Sequence, residues 1–214
     1  STAYNDSLGI EKLQKYASLF GLNERTGIEI EEAAPQIANE FPVMAAIGQS
    51  NNNYTTVQLA RYVTAVANEG TVYQYTLLNR LEDSDGNVLQ TFEPQVRNQI
   101  DVLDTEEWNA IHSGMRMVVE NTKEFDGFPI EAAGKTGTAQ QNLKRPNHAL
   151  FVGYAPYDDP EISIATRIAY GYTSHNAAKL ARNVFAYYFN VENEDELLNG
   201  QAANGNSSSN EISD

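Results

Sequence analysis

The 214-residue sequence contains no cysteine and only three histidines. The first absence excludes disulfides, thiolate nucleophiles and cysteine-based zinc or iron–sulfur sites. The histidines are scattered and match no metal-binding motif, so no metal or cofactor is expected. No apolar run approaches the roughly 20 residues of a membrane-spanning helix. Basic residues are also scarce, with 14 Lys+Arg against 29 Asp+Glu and a net charge of −15. This acidity disfavours nucleic acid as a partner, because nucleic acid binds through cationic side chains.

The charge is distributed unevenly along the chain. Between Val191 and Asp214 there are six acids and no base, and Asn, Gly and Ser make up most of the remainder. Such a segment cannot bury enough apolar surface to offset the entropy lost on ordering. We therefore predict a folded part over residues 1–190 and an acidic, disordered tail over residues 191–214.

Apolar residues at helical spacing predict four helices. Capping residues and glycines indicate their limits. The first helix ends at Gly21, and the second begins at Thr55 and Gln58 and ends at Gly70. The third begins at Asp104 and Glu107, and the last begins at Ser174. The side chains expected to face a core are Ile10, Leu13, Ala17 and Phe20; Val57, Leu59, Val63, Val66 and Ala67; Trp108, Ile111, Met115 and Val118; and Ala177, Leu180, Ala181, Val184 and Tyr188.

Extended stretches alternate with these helices. Residues 75–81 and 88–92 predict a hairpin around a turn that contains Gly86. Residues 134–140, 149–154 and 162–169 predict three strands in succession, closed by the last helix. Strands in this order favour an antiparallel sheet with helices packed on one face, so we predict an α+β fold.

The tetrapeptide Lys135-Thr136-Gly137-Thr138 lies in the first of these three strands. On an edge strand, Lys135 could hold a substrate carboxylate, and Thr138 could offer a hydroxyl together with a backbone N–H as an oxyanion donor. Gly137 would let a ligand backbone lie close, because no Cβ stands in the way. Taken alone, these four residues are better explained as an ordinary edge strand protected by a lysine.

Three ordered segments resemble the transpeptidase domain of class B penicillin-binding proteins, the enzymes that cross-link peptidoglycan. They are residues 13–36 with Phe-Gly-Leu and Thr-Gly-Ile, residues 45–70 with Ile-Gly-Gln and Gln-Leu-Ala-Arg, and residues 132–156 with Lys-Thr-Gly and Gly-Tyr-Ala-Pro. The resemblance runs from about Tyr4 to Phe189 and implies the penicillin-binding-protein/serine β-lactamase-like fold. It also implies an acyl-serine mechanism. In it, Lys135, Thr136 and Thr138 bind the substrate carboxylate, and the Thr138 N–H forms half of an oxyanion hole.

Two of the family's three catalytic boxes are not found in this sequence. No serine is followed by lysine three residues later, as the family's nucleophile is. Matches to Ser-x-Asn begin at Ser50, Ser174 and Ser208, all downstream of the Phe-Gly-Leu segment that this box should precede. Ser50 also occupies a position where the family usually has glycine. We therefore expect the C-terminal portion of a transpeptidase domain, with the nucleophile located before Ser1.

The resemblance also implies partners and a location. The expected partners are peptidoglycan stem peptides ending in D-Ala-D-Ala and β-lactam antibiotics, at the extracytoplasmic face of a bacterial membrane with an N-terminal anchor. A fragment of this kind is expected to be inactive alone and to expose apolar surface. It would then self-associate or require its N-terminal part. The alternatives are a serine β-lactamase, a penicillin-sensing receptor and a non-catalytic scaffold module with the same fold. Among the enzymes and receptors, the Ile-Gly-Gln and Gln-Leu-Ala-Arg segment favours the penicillin-binding proteins.

Overall fold

A computed structural model describes residues 6–141 and 143–193 together with Leu197. Most of the expected acidic tail lies outside these described residues. The helices are α1 (Asp6–Leu19), α2 (Pro42–Ala45), α3 (Thr56–Ala67), α4 (Thr105–Glu120) and α5 (Ser174–Tyr188), with a 3₁₀ turn at Lys123–Phe125. The strands are β1 (Thr71–Gln74), β2 (Arg80–Glu82), β3 (Val88–Thr91), β4 (Gln95–Gln99), β5 (Ala133–Ala139), β6 (His148–Ala155) and β7 (Ile162–Ile168). This mixture of helices and antiparallel strands is the predicted α+β class.

The chain divides into two compact units, and the boundary falls between His112 and Ser113. In the first unit, β1 pairs with β4 and β2 pairs with β3, both antiparallel. The buried core of this unit is formed by Ala65, Val72, Ile100 and Trp108. Both predicted capping boxes are confirmed: Thr55 and Gln58 cap α3, and Asp104 and Glu107 exchange bonds of 2.9 Å each at the start of α4.

The buried face of α3 is more polar than its sequence pattern suggests. Arg61 is buried, and its guanidinium donates hydrogen bonds to the carbonyl oxygen of Gly21. It also reaches the carbonyl oxygens of Arg25 and Glu24, each at 3.1 Å. Gln58 is buried as well, and its Nε2 lies 3.4 Å from the same Glu24 oxygen. Two of the segments on which the family resemblance rests are therefore joined by the Arg61 side chain.

The hairpin in this unit is shorter than predicted. The structure confirms the pairing of β2 with β3, but residues 75–79 do not belong to the first strand. Two of their N–H groups bond outside the hairpin: the Tyr75 N–H donates to the Thr26 carbonyl at 3.1 Å, and the Leu77 N–H donates to Glu29 Oε2 at 2.8 Å. The pairing of β1 with β4 was not predicted from the sequence.

The second unit contains the sheet β5-β6-β7, antiparallel throughout, with α5 packed on one face. Its core joins Phe151 of β6 to the small side chains of α5. The predicted buried face of α5 is only partly right, because Leu180, Val184 and Tyr188 are exposed. The buried residues of this helix are Ala177, Ala178, Ala181, Phe185 and Ala186. The buried stripe is rotated around the helix relative to the predicted one, so that Ala178 and Phe185 are buried in place of Leu180 and Val184.

The start of α5 also differs from the prediction. Ser174 is the first helical residue, and Thr173 is the N-cap, with its side chain accepting from the His175 N–H. The cap has moved by one residue because Thr173 has the extended backbone that a capping residue needs.

Several large apolar side chains are exposed. Phe41, Val43, Met44 and Ile47 fall within seven consecutive positions around α2, and each is at least 46% exposed. Self-association through such surface stays a prediction. Within the described residues, no helix combines the length and the hydropathy required to traverse a bilayer.

Candidate active-site strand

The tetrapeptide Lys135–Thr138 lies at the edge of the three-stranded sheet. Its strand, β5, pairs with β6, and among the described residues no strand covers its other side. Lys135 lies opposite Val152, Thr136 opposite Phe151, Gly137 opposite Leu150 and Thr138 opposite Ala149. Because side chains alternate along a strand, Lys135 and Gly137 share one face, and Thr136 and Thr138 share the other.

The position of β5 is fixed by Gly134, directly before the tetrapeptide. A Cβ at this residue would lie 2.3 Å from Cζ of Phe151 and 2.8 Å from the carbonyl oxygen of Val152. Phe151 is fully buried and stacks on Phe125 with ring centroids 5.7 Å apart. Gly134 therefore allows the strand to approach the aromatic core as closely as it does.

Gly137 has a different environment on the same strand. A Cβ there would meet only the Cβ of Leu150, at 3.4 Å, which is an ordinary van der Waals contact. Packing within the described fold thus does not require glycine at this position. The absence of a side chain keeps the rim beside Lys135 open, and an approaching ligand backbone would use that space.

Lys135 is exposed on the same face as Gly137. Its Nζ donates to the carbonyl oxygen of Thr136 at 2.8 Å, so the ammonium lies along the strand. No carboxylate forms an ion pair with Lys135 in the part of the chain that the structure describes. A cation that is not neutralised by a neighbouring carboxylate is suited to binding an anionic group, even on an acidic protein.

The structure describes two of the three serines that formally match Ser-x-Asn. Ser50 lies in a turn with φ of 76°, and its hydroxyl donates to the Glu40 carbonyl at 2.5 Å. It therefore adopts the left-handed conformation that a glycine would adopt without strain. Ser174 begins α5, and Ser208 lies outside the described residues.

Sequence reasoning missed His148, at the first position of β6. It is 6% exposed and lies opposite Ala139, next to the Thr138–Ala149 pair. Burial, and to a smaller extent the nearby Arg167 guanidinium, hold the pKa of His148 below its usual value. The signal available in the sequence was its position directly after the β5–β6 connection. No three His, Asp or Glu side chains come together as metal ligands among the residues that the structure describes.

Comparison with known proteins connects this chain to a family. The sequence profile of the penicillin binding protein transpeptidase domain matches residues 2–186. Peptidoglycan D,D-transpeptidase MrdA of Haemophilus influenzae is 33% identical over 224 residues, which cover 88% of this chain and 34% of that protein. Penicillin-binding protein 2A of Bacillus subtilis is 26% identical, over 93% of this chain and 31% of that protein.

Solved structures agree with the sequence comparison. Penicillin-binding protein 2B of Streptococcus pneumoniae superposes with a TM-score of 0.75 at 25% identity, covering 90% of this chain and 34% of that one. The imipenem acyl-enzyme complex of penicillin-binding protein A from M. tuberculosis superposes with a TM-score of 0.74 at 22% identity, covering 86% of this chain and 44% of that one. This similarity supports the fold. The chain spans about a third of the length of the Haemophilus influenzae and Bacillus subtilis relatives. The predicted fold is confirmed, and the chain belongs to the transpeptidase domain family of the penicillin-binding proteins, within class B.

Proposed function

We propose that this chain is the C-terminal part of a peptidoglycan D,D-transpeptidase and that β5 binds the carboxylate end of the stem peptide. The observation that carries the proposal is the open rim of β5, where the exposed Lys135 ammonium lies beside Gly137. The name of the Haemophilus influenzae relative, a peptidoglycan D,D-transpeptidase, supports the same reaction.

The proposed reaction proceeds in two acyl transfers. A serine that the family places upstream of this region attacks the carbonyl carbon between the two terminal D-alanines. Its hydroxyl proton passes to the departing nitrogen, and the last D-Ala leaves as a free amino acid. An amine of a neighbouring stem peptide then attacks the resulting ester, which forms the cross-linking amide and returns the proton to the serine oxygen.

Residues of β5 would bind and stabilise these groups without forming covalent bonds. Lys135 attracts the terminal carboxylate to the open edge of β5, and the hydroxyls of Thr136 and Thr138 would donate hydrogen bonds to it from the other face of the strand. The Thr138 N–H donates to the oxygen that becomes negative as the serine attacks, and the N–H of the serine itself completes the pair. A donor on a regular strand is already oriented before the charge develops, so little reorganisation is needed.

β-Lactam binding follows from the same arrangement. The antibiotic carboxylate would take the place of the stem-peptide carboxylate beside Lys135, and the serine would open the strained ring amide. The ring nitrogen stays attached to the acyl group, so it cannot diffuse away as D-Ala does. The M. tuberculosis relative, solved as an imipenem acyl-enzyme complex, illustrates such an adduct on this fold.

Covalent labelling with a fluorescent penicillin tests the proposal. The reagent is applied to this chain and to the parent protein, which is the longer protein that would carry the upstream serine. We place the active site of the parent protein at the extracytoplasmic side of the membrane. We expect a labelled band for the parent and none for the chain alone, because no serine here has a lysine at the third following position.

Single variants of the parent then test the role of the strand. Lys135→Ala should reduce the labelling rate at least ~100-fold, because binding and orientation of the carboxylate are lost together. Lys179→Ala removes an exposed lysine from α5 and serves as the matched control, with unchanged labelling expected. A band on the chain alone, or normal labelling of Lys135→Ala, would contradict the proposal. A parent that is never labelled would favour the non-catalytic scaffold.

A further inference from the structure

Four side chains form a continuous stack beside the end of β5. The Arg145 guanidinium carbon lies 5.2 Å from the centre of the Tyr170 ring. Tyr170 packs on His148 with ring centroids 4.9 Å apart. On His148, Nη2 of Arg167 lies 3.3 Å from Nε2 and 3.4 Å from Nδ1. The His148 imidazole is therefore the meeting point of four segments: the β5–β6 connection, the start of β6, the end of β7 and the turn after β7.

The hydrogen bonds of His148 define its proton position. The backbone N–H of Tyr170 points at Nδ1, at 3.0 Å, so Nδ1 must be the acceptor. The proton is then on Nε2, which donates to Oε1 of Gln141 at 2.9 Å. Because Arg167 is nearly equidistant from both ring nitrogens, it lies against the ring and does not compete for either bond. The neutral imidazole therefore has a partner at each nitrogen.

The turn that supplies Tyr170 has an unusual backbone. Tyr170 and Tyr172 have φ of 55° and 66°, a conformation that bulky L-residues rarely adopt. Such a conformation persists only where the surroundings hold it, and these positions cluster at functional sites. The holding contacts are the Tyr170–His148 bond and a bond of 3.1 Å from the Tyr172 N–H to the Asn147 carbonyl.

We propose that His148, neutral and protonated at Nε2, is a positioning residue that holds the Thr138 end of β5 in place for acyl transfer. It acts through Gln141, two residues beyond the end of the strand, and through its own pairing with Ala139. The proposal rests on the proposed function, because it takes Thr138 as the oxyanion donor. His148 itself touches no reacting atom.

Protonation of His148 would oppose this arrangement. A second proton would turn Nδ1 into a donor facing the Tyr170 N–H, and would place a positive charge against Arg167. The charged or titratable groups that face the ring are Arg167 of β7 and the Tyr170 phenol, with Arg145 beyond Tyr170. The pKa of His148 is lower in the folded than in the unfolded chain. The bonds of the stack are therefore complete above the unfolded pKa of about 6.5 and are lost as the pH falls through the folded pKa.

Amide hydrogen exchange in the 214-residue chain tests the positioning role without any requirement for catalysis. We expect His148→Ala to accelerate exchange of the protected amides in residues 137–141 at least tenfold. His148→Asn should restore most of the protection, because Oδ1 can accept from the Tyr170 N–H where Nδ1 did. His175→Ala, at an exposed histidine of α5, is the matched control and should leave β5 unchanged.

Gln141→Ala provides a second variant if His148→Ala does not fold, since Gln141 is exposed and its loss opens no cavity. It should accelerate the same amides, and unchanged exchange in both variants would overturn the proposal. In the parent protein, His148→Asn should reduce the loss of acylation rate on acidification, because its side chain does not titrate. Fast exchange together with normal acylation in Gln141→Ala would also overturn the positioning role. An unlabelled wild-type parent would instead overturn the proposed function, so the two failures are distinguishable.

Discussion

Two glycines of β5, three residues apart, should respond in opposite ways to the same substitution. Gly134 lies against Phe151, and Gly137 lies beside Lys135 on the open rim. If Gly134 is required for packing and Gly137 for ligand binding, then Gly134→Ala should damage stability. Gly137→Ala should damage activity with the fold intact. The pair therefore separates the structural from the chemical role of one strand.

The expected magnitudes follow from the space at each position. A methyl group at residue 134 would lie 2.3 Å from a buried aromatic carbon and 2.8 Å from a backbone oxygen, so the strand or Phe151 must move. Overpacking of this kind costs about 1–3 kcal/mol, which corresponds to a fall in Tm of about 2–12 °C for a chain of this size. At residue 137 the methyl group fits, and the smaller entropy of the unfolded chain should stabilise the fold by up to about 1 kcal/mol.

The loss of stability is measured by thermal unfolding of both variants in this chain. The loss of activity is measured by fluorescent-penicillin labelling of both variants in the parent protein. Gly137→Ala should melt at or slightly above the wild-type temperature while its labelling rate falls on the order of 100-fold, because a displaced acyl donor reacts poorly. If Gly137→Ala melted below Gly134→Ala, the packing argument would be refuted. If it were labelled at the wild-type rate, the assignment of the rim as the binding surface would be refuted.

Two further predictions concern the first unit and use urea unfolding as the measurement. Arg61→Ala should cost about 3–5 kcal/mol, because it removes a buried cation and leaves loop carbonyls without a donor. Arg61→Lys should still cost about 1–3 kcal/mol, since one ammonium cannot reach all three carbonyls, and wild-type stability of this variant would contradict the proposed bonding. Ser50→Ala should cost about 1 kcal/mol, as it loses the hydroxyl bond but keeps the left-handed backbone. Ser50→Gly loses the same hydroxyl bond, but it also relieves about 1–2 kcal/mol of left-handed backbone strain, so its stability should be close to that of the wild type. A larger loss of stability for glycine than for alanine would contradict this reasoning.

Local patterns predicted the elements whose determinants are close in sequence. The capping box at Thr55 and the strand that contains Lys135 both depend on neighbouring residues, and the structure confirms them. The exposure of Leu180 was not predictable from its hydrophobicity, because the outcome depends on which face of α5 packs on the sheet. The surroundings of His148 were hidden for a related reason: Arg167 and Tyr170 are about twenty residues away and meet it only after β7 is paired.

The residues that carry the family resemblance divide into two physical kinds. Arg61 and Gly134 have partners inside the fold, and a protein needs them to fold whether or not it catalyses anything. Lys135 and Gly137 are different: within the described residues, neither an ion pair nor a packing restraint requires a lysine or a glycine there. A scaffold with this fold would need the first pair and would tolerate many residues at the second. A ligand bound along this edge would give both residues a partner, as the proposed transpeptidase function requires.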